Sequence, residues 1–221
     1  MIKFNLFQTF LFWAVPTLLA ITLHEAAHGW AALYFGDPTS KMLGRLSLNP
    51  LMHVDMIGTI LVPLLAYFLG GFILGWAKPV PVNAQNFKNP RQNMAWVALA
   101  GPMANLLMAA CWAGLLKLSS SFSSSSWVAA VLINMSYMGV FINLLLAVFN
   151  LLPLPPLDGS RILGRFLSSS LWAQYQRLEP YGFWIVLVLL LTGVLPEIIN
   201  PIISGLHNWL TSLFHLYTYS M

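Results

Sequence analysis

The sequence predicts an all-α polytopic membrane protein, a bundle of about five to six transmembrane or re-entrant helices with a small re-entrant β element after the first helix. Three observations carry that expectation. Of 221 residues, 58% are hydrophobic and 7% charged, against roughly 25% charged in soluble domains, so the chain cannot cover a water-facing surface. Long apolar runs recur along its length. Between the first two runs, by contrast, apolar and polar residues alternate, as they do in extended chain. Short loops leave no room for a separate soluble domain. Residues 1–221 therefore read as one membrane domain, with a core at about 4–165 and C-terminal helices at about 179–221.

Taken in order, helices are expected at about 4–35, 57–76, 92–118, 127–152 and 181–195. The stretch 198–219, with Trp209, Tyr217 and Tyr219, reads as an interfacial helix or a further span. A lysine precedes the first run, as in a signal peptide, but no small-residue cleavage site ends it, so it is read as retained. Gly36, Asp37 and Pro38 stop that helix. "GRLSLNP" then reads as a strand or hairpin near the membrane surface, and the proline-locked "KPVPVN", Lys78 to Asn83, as an edge strand or extended loop. "SSSFSSSS", Ser119 to Ser126, is a connector. The single cysteine, Cys111, excludes an internal disulfide and a thiolate metal cluster. The net charge of +4 is scattered through loops, so no nucleic-acid partner is expected.

Two stretches break the apolar pattern. "ITLHEAAHGW", residues 21–30, places His24, Glu25 and His28 inside a membrane helix, where ionisable groups are costly. "NLLPLPPLDGSRIL", residues 150–163, holds Pro153, Pro155 and Pro156, which forbid a continuous helix and leave Asp158 in broken backbone. His24 and His28 are the candidate partners of Asp158. For these groups to meet, their two helices should run parallel, so 57–76 should be re-entrant and not a full span. Under that arrangement Lys41, Arg45, Lys78, Lys88, Arg91, Arg161, Arg165 and Arg177 share one side, against Lys3 and Lys117 on the other. The positive-inside rule then puts the site toward the cytoplasmic face with the N-terminus outside, in what is expected to be a bacterial cytoplasmic membrane.

Residues four apart share one face of a helix, so His24 and His28 suit one metal ion. H-E-x-x-H is the signature of zinc hydrolases with the glutamate as general base. A catalytic zinc takes three protein ligands, and Asp158 completes a His2Asp set. One Zn2+ per chain is the expected cofactor, with Glu25 as catalytic base.

These motifs resemble the site-2 protease family of intramembrane zinc metalloproteases. "HEAAH" matches its first motif, and Asn150, Pro153, Asp158 and Gly159 match its N-x-x-P-x-x-x-x-D-G. "GPMAN", Gly101 to Asn105, matches its G-P-x-x-N, and "GRLSLNP", "HVDMIGT" and "GWAKPVPVN" resemble its compact members, without a PDZ or nucleotide-sensing module. The resemblance covers about residues 20 to 165. It implies zinc ligation by His24, His28 and Asp158, catalysis by Glu25, and a re-entrant β-structure where a substrate helix unwinds into a strand. Asn105 and Asn150 are expected either to donate to substrate backbone or a developing oxyanion, or to satisfy backbone at helix breaks. His53 with Asp55 either stands near the metal, as a pair supporting a ligand or as a substrate or oxyanion donor, or His53 caps or bridges a re-entrant turn. His207 and His215 are read as interfacial, and Glu179 and Glu197 as solvated helix ends.

The function expected is a zinc-dependent endopeptidase cleaving transmembrane proteins within the lipid bilayer, in regulated proteolysis or signal-peptide clearance. An intramembrane zinc transporter or a catalytically silent adaptor are the alternatives. A transporter would show repeats and dispersed polar sites, whereas here the polar groups converge. Nothing in the sequence fixes an oligomeric state.

Overall fold

The computed structural model describes residues 4–61, 77–122 and 127–216. All regular structure among these residues is helical. The first helix, α1 (Leu6–Tyr34), starts at a reciprocal cap in which Asn5 accepts from the Gln8 amide and Gln8 accepts from the Asn5 amide. A short turn, α2 (Thr39–Met42), follows the stop at Gly36. The long helices α3 (Pro90–Ser120) and α4 (Trp127–Asn150) come next, then α5 (Asp158–Gly164), α6 (Ser169–Gln176), α7 (Gly182–Leu191) and α8 (Val194–Leu213).

α1, α3 and α4 are long and apolar enough to cross a membrane. Their contacts fix their directions. His28 meets Val97 while His24, one turn earlier, meets Asn105, so α1 and α3 are antiparallel. Asn105 meets Asn143 while Trp112 packs over Gly139, so α3 and α4 are antiparallel as well. It follows that α1 and α4 run parallel, as the pairing of His24 and His28 with Asp158 requires. The exit of α1 and the entry of α3 also lie at one end of the bundle. The expected re-entrant helix 57–76 falls mostly outside the described residues. Its start, Met56–Leu61, is a single π-helical turn.

Small residues let these helices approach closely. Gly139 sits flat against the Trp112 indole, and Ala109, Ala113, Val140 and Leu144 fill the seam between α3 and α4. The same core takes in Val186 of α7 and Leu195, Ile199 and Ile203 of α8.

Two expectations are met only in part. Of the five to six transmembrane or re-entrant helices expected, the described residues show three that are long and apolar enough to cross a membrane and, after α4, one bent pair, with 79° between Ser169–Leu191 and Val194–Leu213. The cause is Gly193, whose φ of 79° turns the chain in a left-handed conformation that ends one helix and starts the next. No β-strand is present among the described residues. In 77–83, Pro79 and Pro81 have no amide to offer, and the amides of Lys78, Val80 and Asn83 go to His53 O, Glu25 Oε2 and Asp37 Oδ2. Arg45, from the other expected strand, donates to the carbonyls of Met52, Lys78 and Pro79. The two segments are thus joined through a side chain, without a ladder.

Candidate metal centre

His24 and His28 project from the inner face of α1, one turn apart and both buried. Asp158 opens α5, directly after the segment broken at Pro153, Pro155 and Pro156. The three side chains converge. His24 Nε2 and His28 Nε2 are 3.0 Å apart, and Asp158 Oδ2 lies 3.3 Å from each. Each of the three residues offers a ligand atom within 4.8 Å of the others.

The far side of each imidazole shows what this arrangement can do. His24 Nδ1 lies 2.6 Å from Asn105 Oδ1, and His28 Nδ1 lies 2.7 Å from the Val97 carbonyl. Both partners are acceptors only, so each Nδ1 carries a hydrogen and each neutral ring presents a bare lone pair at Nε2. The buried Asp158 Oδ2 has no hydrogen-bond partner either. Three lone-pair atoms facing one point repel one another unless a cation sits among them. Tetrahedral ligands about 2.0–2.1 Å from zinc lie roughly 3.3 Å from one another; Asp158 Oδ2 keeps that spacing to each ring, and the two Nε2 atoms are slightly closer at 3.0 Å. The donor set fits zinc.

Glu25 is half-buried on the adjacent flank of α1 and its Oε2 accepts the Val80 amide at 2.8 Å. The 77–83 segment therefore runs directly over the glutamate. Gly101 lies against both rings, where an added Cβ would collide with His28 and come 2.6 Å from His24 Cε1.

The other expected residues divide. Asn105, fully buried, accepts from His24 and donates to Ala20 O and Asn143 Oδ1, so it braces a ring and has no donor left for a substrate. Asn150 donates to Leu146 O within its own helix. His53 is buried outside the three-residue cluster, with Nε2 2.8 Å from Ser47 O. Asp55 accepts the amides of Ile57 and Gly58 and caps the turn that follows. His207 is buried beside Tyr137. Asn143 escaped the sequence reading, and Arg91 entered it only as a charge that sets topology. Arg91 Nη2 donates to the carbonyls of Gly164 and Leu167 at 2.6 and 2.5 Å, tying the C-terminal end of α5 to α3.

A helical membrane protein with two histidines and an aspartate facing one point, and a glutamate beside them, has the layout of a metallopeptidase. Residues 113–193, which include Asn143 and Asp158, match the model of peptidase family M50. Several relatives carry the name "Putative zinc metalloprotease". YwhC of Bacillus subtilis is 38% identical over 202 residues, covering 90% of this chain and 89% of that protein. Rip2 of Mycobacterium tuberculosis is 31% identical over 196 residues, covering 89% and 71%. No solved structure gives a significant match. The chain belongs to peptidase family M50, the site-2 protease family that its motifs resemble.

Proposed function

We propose that this protein is a zinc-dependent intramembrane endopeptidase that hydrolyses peptide bonds within or near transmembrane segments. One observation carries the reading: His24, His28 and Asp158 aim three bare lone pairs at a single point. His24, His28 and Asp158 hold one zinc ion per chain. Bound there, zinc supplies Lewis-acid polarisation and lowers the pKa of water to about 7.

Glu25 takes the proton from the attacking water and passes it to the leaving amine. The Val80 amide holds the Glu25 carboxylate in place on the 77–83 segment. That extended segment, stiffened by Pro79 and Pro81, is where an unwound substrate lies, since a peptide bond in a helix is shielded from attack. Lys41, Arg45, Lys78, Lys88 and Arg91 sit between α1 and the first turn of α3, at the site's end of the bundle. By the positive-inside rule this end faces the cytoplasm.

Glu25→Gln tests the reading. Purified in detergent, the variant should retain one zinc per chain by metal analysis. In liposomes its cleavage of a model transmembrane substrate should fall by about 10²–10⁴-fold. Undiminished cleavage by Glu25→Gln, or a wild-type chain that holds no zinc, overturns it.

A further inference from the structure

We propose that Asn143 is a positioning residue for the metal centre, acting on His24 through Asn105. The inference rests on the zinc reading above and adds a residue to it.

Three asparagines lie along α4, and each donates Nδ2 to the carbonyl four residues earlier: Asn134 to Ala130 at 2.7 Å, Asn143 to Gly139 at 2.8 Å and Asn150 to Leu146 at 2.9 Å. A carbonyl can only accept, so this bond fixes which end of the amide is nitrogen. Asn143, fully buried, also meets a polar side chain on another helix. With its nitrogen committed to Gly139, its Oδ1 faces the Asn105 nitrogen at 2.9 Å.

Asn105 is pinned in the same way. Its nitrogen donates one hydrogen to Ala20 O at 3.2 Å and the other to Asn143 Oδ1, which leaves its oxygen against His24 Nδ1. An oxygen there demands a hydrogen on Nδ1, so the lone pair lies on Nε2, the atom facing His28 and Asp158. Two backbone carbonyls on different helices, Gly139 O and Ala20 O, thus set the polarity of the whole chain of amides.

Removing Asn143 strands one Asn105 hydrogen in a buried position, where an unmade bond is costly. Asn105 is then tethered by Ala20 O alone, at 3.2 Å, so its oxygen is held less firmly against His24 Nδ1 and the ring less firmly in the orientation and tautomer that bare Nε2.

The test is zinc affinity of the full chain in detergent, by chelator competition, with the absorption spectrum of the cobalt(II)-substituted protein as a second readout. Asn143→Leu should bind zinc about 10–100-fold more weakly and shift the cobalt spectrum. Asn134→Leu loses the same kind of helix bond far from the site and should keep wild-type affinity and spectrum. If the leucine variant fails to fold, Asn143→Ala carries the loss and Asn143→Asp should restore affinity. With its outer oxygen protonated, the aspartate keeps both the acceptor for Asn105 and the donor for Gly139. Wild-type affinity in Asn143→Leu or Asn143→Ala, or an equal loss in Asn134→Leu, overturns the proposal. A wild-type chain that binds no zinc overturns the underlying reading instead, so the two failures are distinguishable.

Discussion

The histidine half of the site and the aspartate half are held in opposite ways. His24 and His28 ride on an unbroken 29-residue helix, and their rings are fixed by side-chain fit: Gly101 flat beneath both, Asn105 and Val97 on the outer nitrogens. Asp158 starts a seven-residue helix after a proline-broken stretch, and backbone contacts hold it. Gly159 packs against the carbonyls of Leu151 and Leu152, Tyr175 Oη donates to Pro153 O at 2.7 Å, and Arg91 holds the far end of α5. Broken backbone at membrane depth has to be satisfied by its surroundings, and here α3 and α6 share that work. A half fixed by fit at one spot should fail abruptly, while a half fixed by several separate bonds should weaken by degrees.

Gly101→Ala gives the largest expected effect. The new methyl meets both imidazoles, and neither ring can swing aside without losing its outer hydrogen bond. Zinc affinity in detergent should fall by about a hundredfold or more, the upper end of what disturbed ligand support costs. Leu195→Ala, which opens a cavity in the core that α8 shares with α3 and α4, should lower the melting temperature but leave affinity intact. Equal affinity losses in the two variants would mean that general bundle packing, not the fit at the rings, governs the site.

Arg91→Gln probes the aspartate half and should be milder. It removes charged hydrogen bonds to the Gly164 and Leu167 carbonyls, bonds of a kind worth about 1.5–3 kcal/mol. Leu157, Tyr175 and Gly159 still hold the start of α5. Zinc affinity should fall about tenfold, equivalent to roughly 1.4 kcal/mol, and cleavage should be partly retained. Complete loss of metal would show that the aspartate half is as brittle as the histidine half.

The same contrast explains what was legible in the sequence. His24, Glu25 and His28 stood out because each is a polar group inside an apolar helix, at a spacing that fixes a shared face. Asp158 stood out because three prolines expose it. Helix direction followed from requiring these groups to meet, and α1, α3 and α4 obey it. Asn143 gave no signal, since it is one of three similar asparagines on α4 and only tertiary packing decides which of them reaches another helix. Gly101 lay in a recognised motif, but its contact with two rings from α1 is invisible in one dimension. Of the two readings of Lys78 to Asn83, edge strand or extended loop, the loop stands; alternation could not choose between them, because it reports which side chains face which way, not where the amides go. Those amides went to His53, Glu25 and Asp37.

Asp37 permits the finest separation, because it supports the segment over Glu25 without touching either half of the metal site. It is fully buried and accepts from the Thr39 amide and hydroxyl, the Asn86 side chain and the Asn83 amide, so it ties the end of α1 to the far end of 77–83. Burial pushes its carboxyl up, but the hydrogen bonds from Thr39, Asn86 and Asn83 outweigh that and hold it below the usual aspartate range. A carboxyl lowered in the folded state adds stability above its unfolded pKa of about 3.9, and that stability is lost as pH falls through the folded value. Asp37→Asn puts a donor against the Asn83 amide or the Thr39 hydroxyl, costing about 1–3 kcal/mol at neutral pH. Its melting temperature should therefore lie below wild type at pH 7, with the gap closing as the pH drops below about 4. Zinc affinity should be unchanged, because neither Gly101, Asn105 nor α5 moves. A variant that melts like wild type at pH 7, or one that sheds its zinc, would show that the loop and the metal site are not held independently.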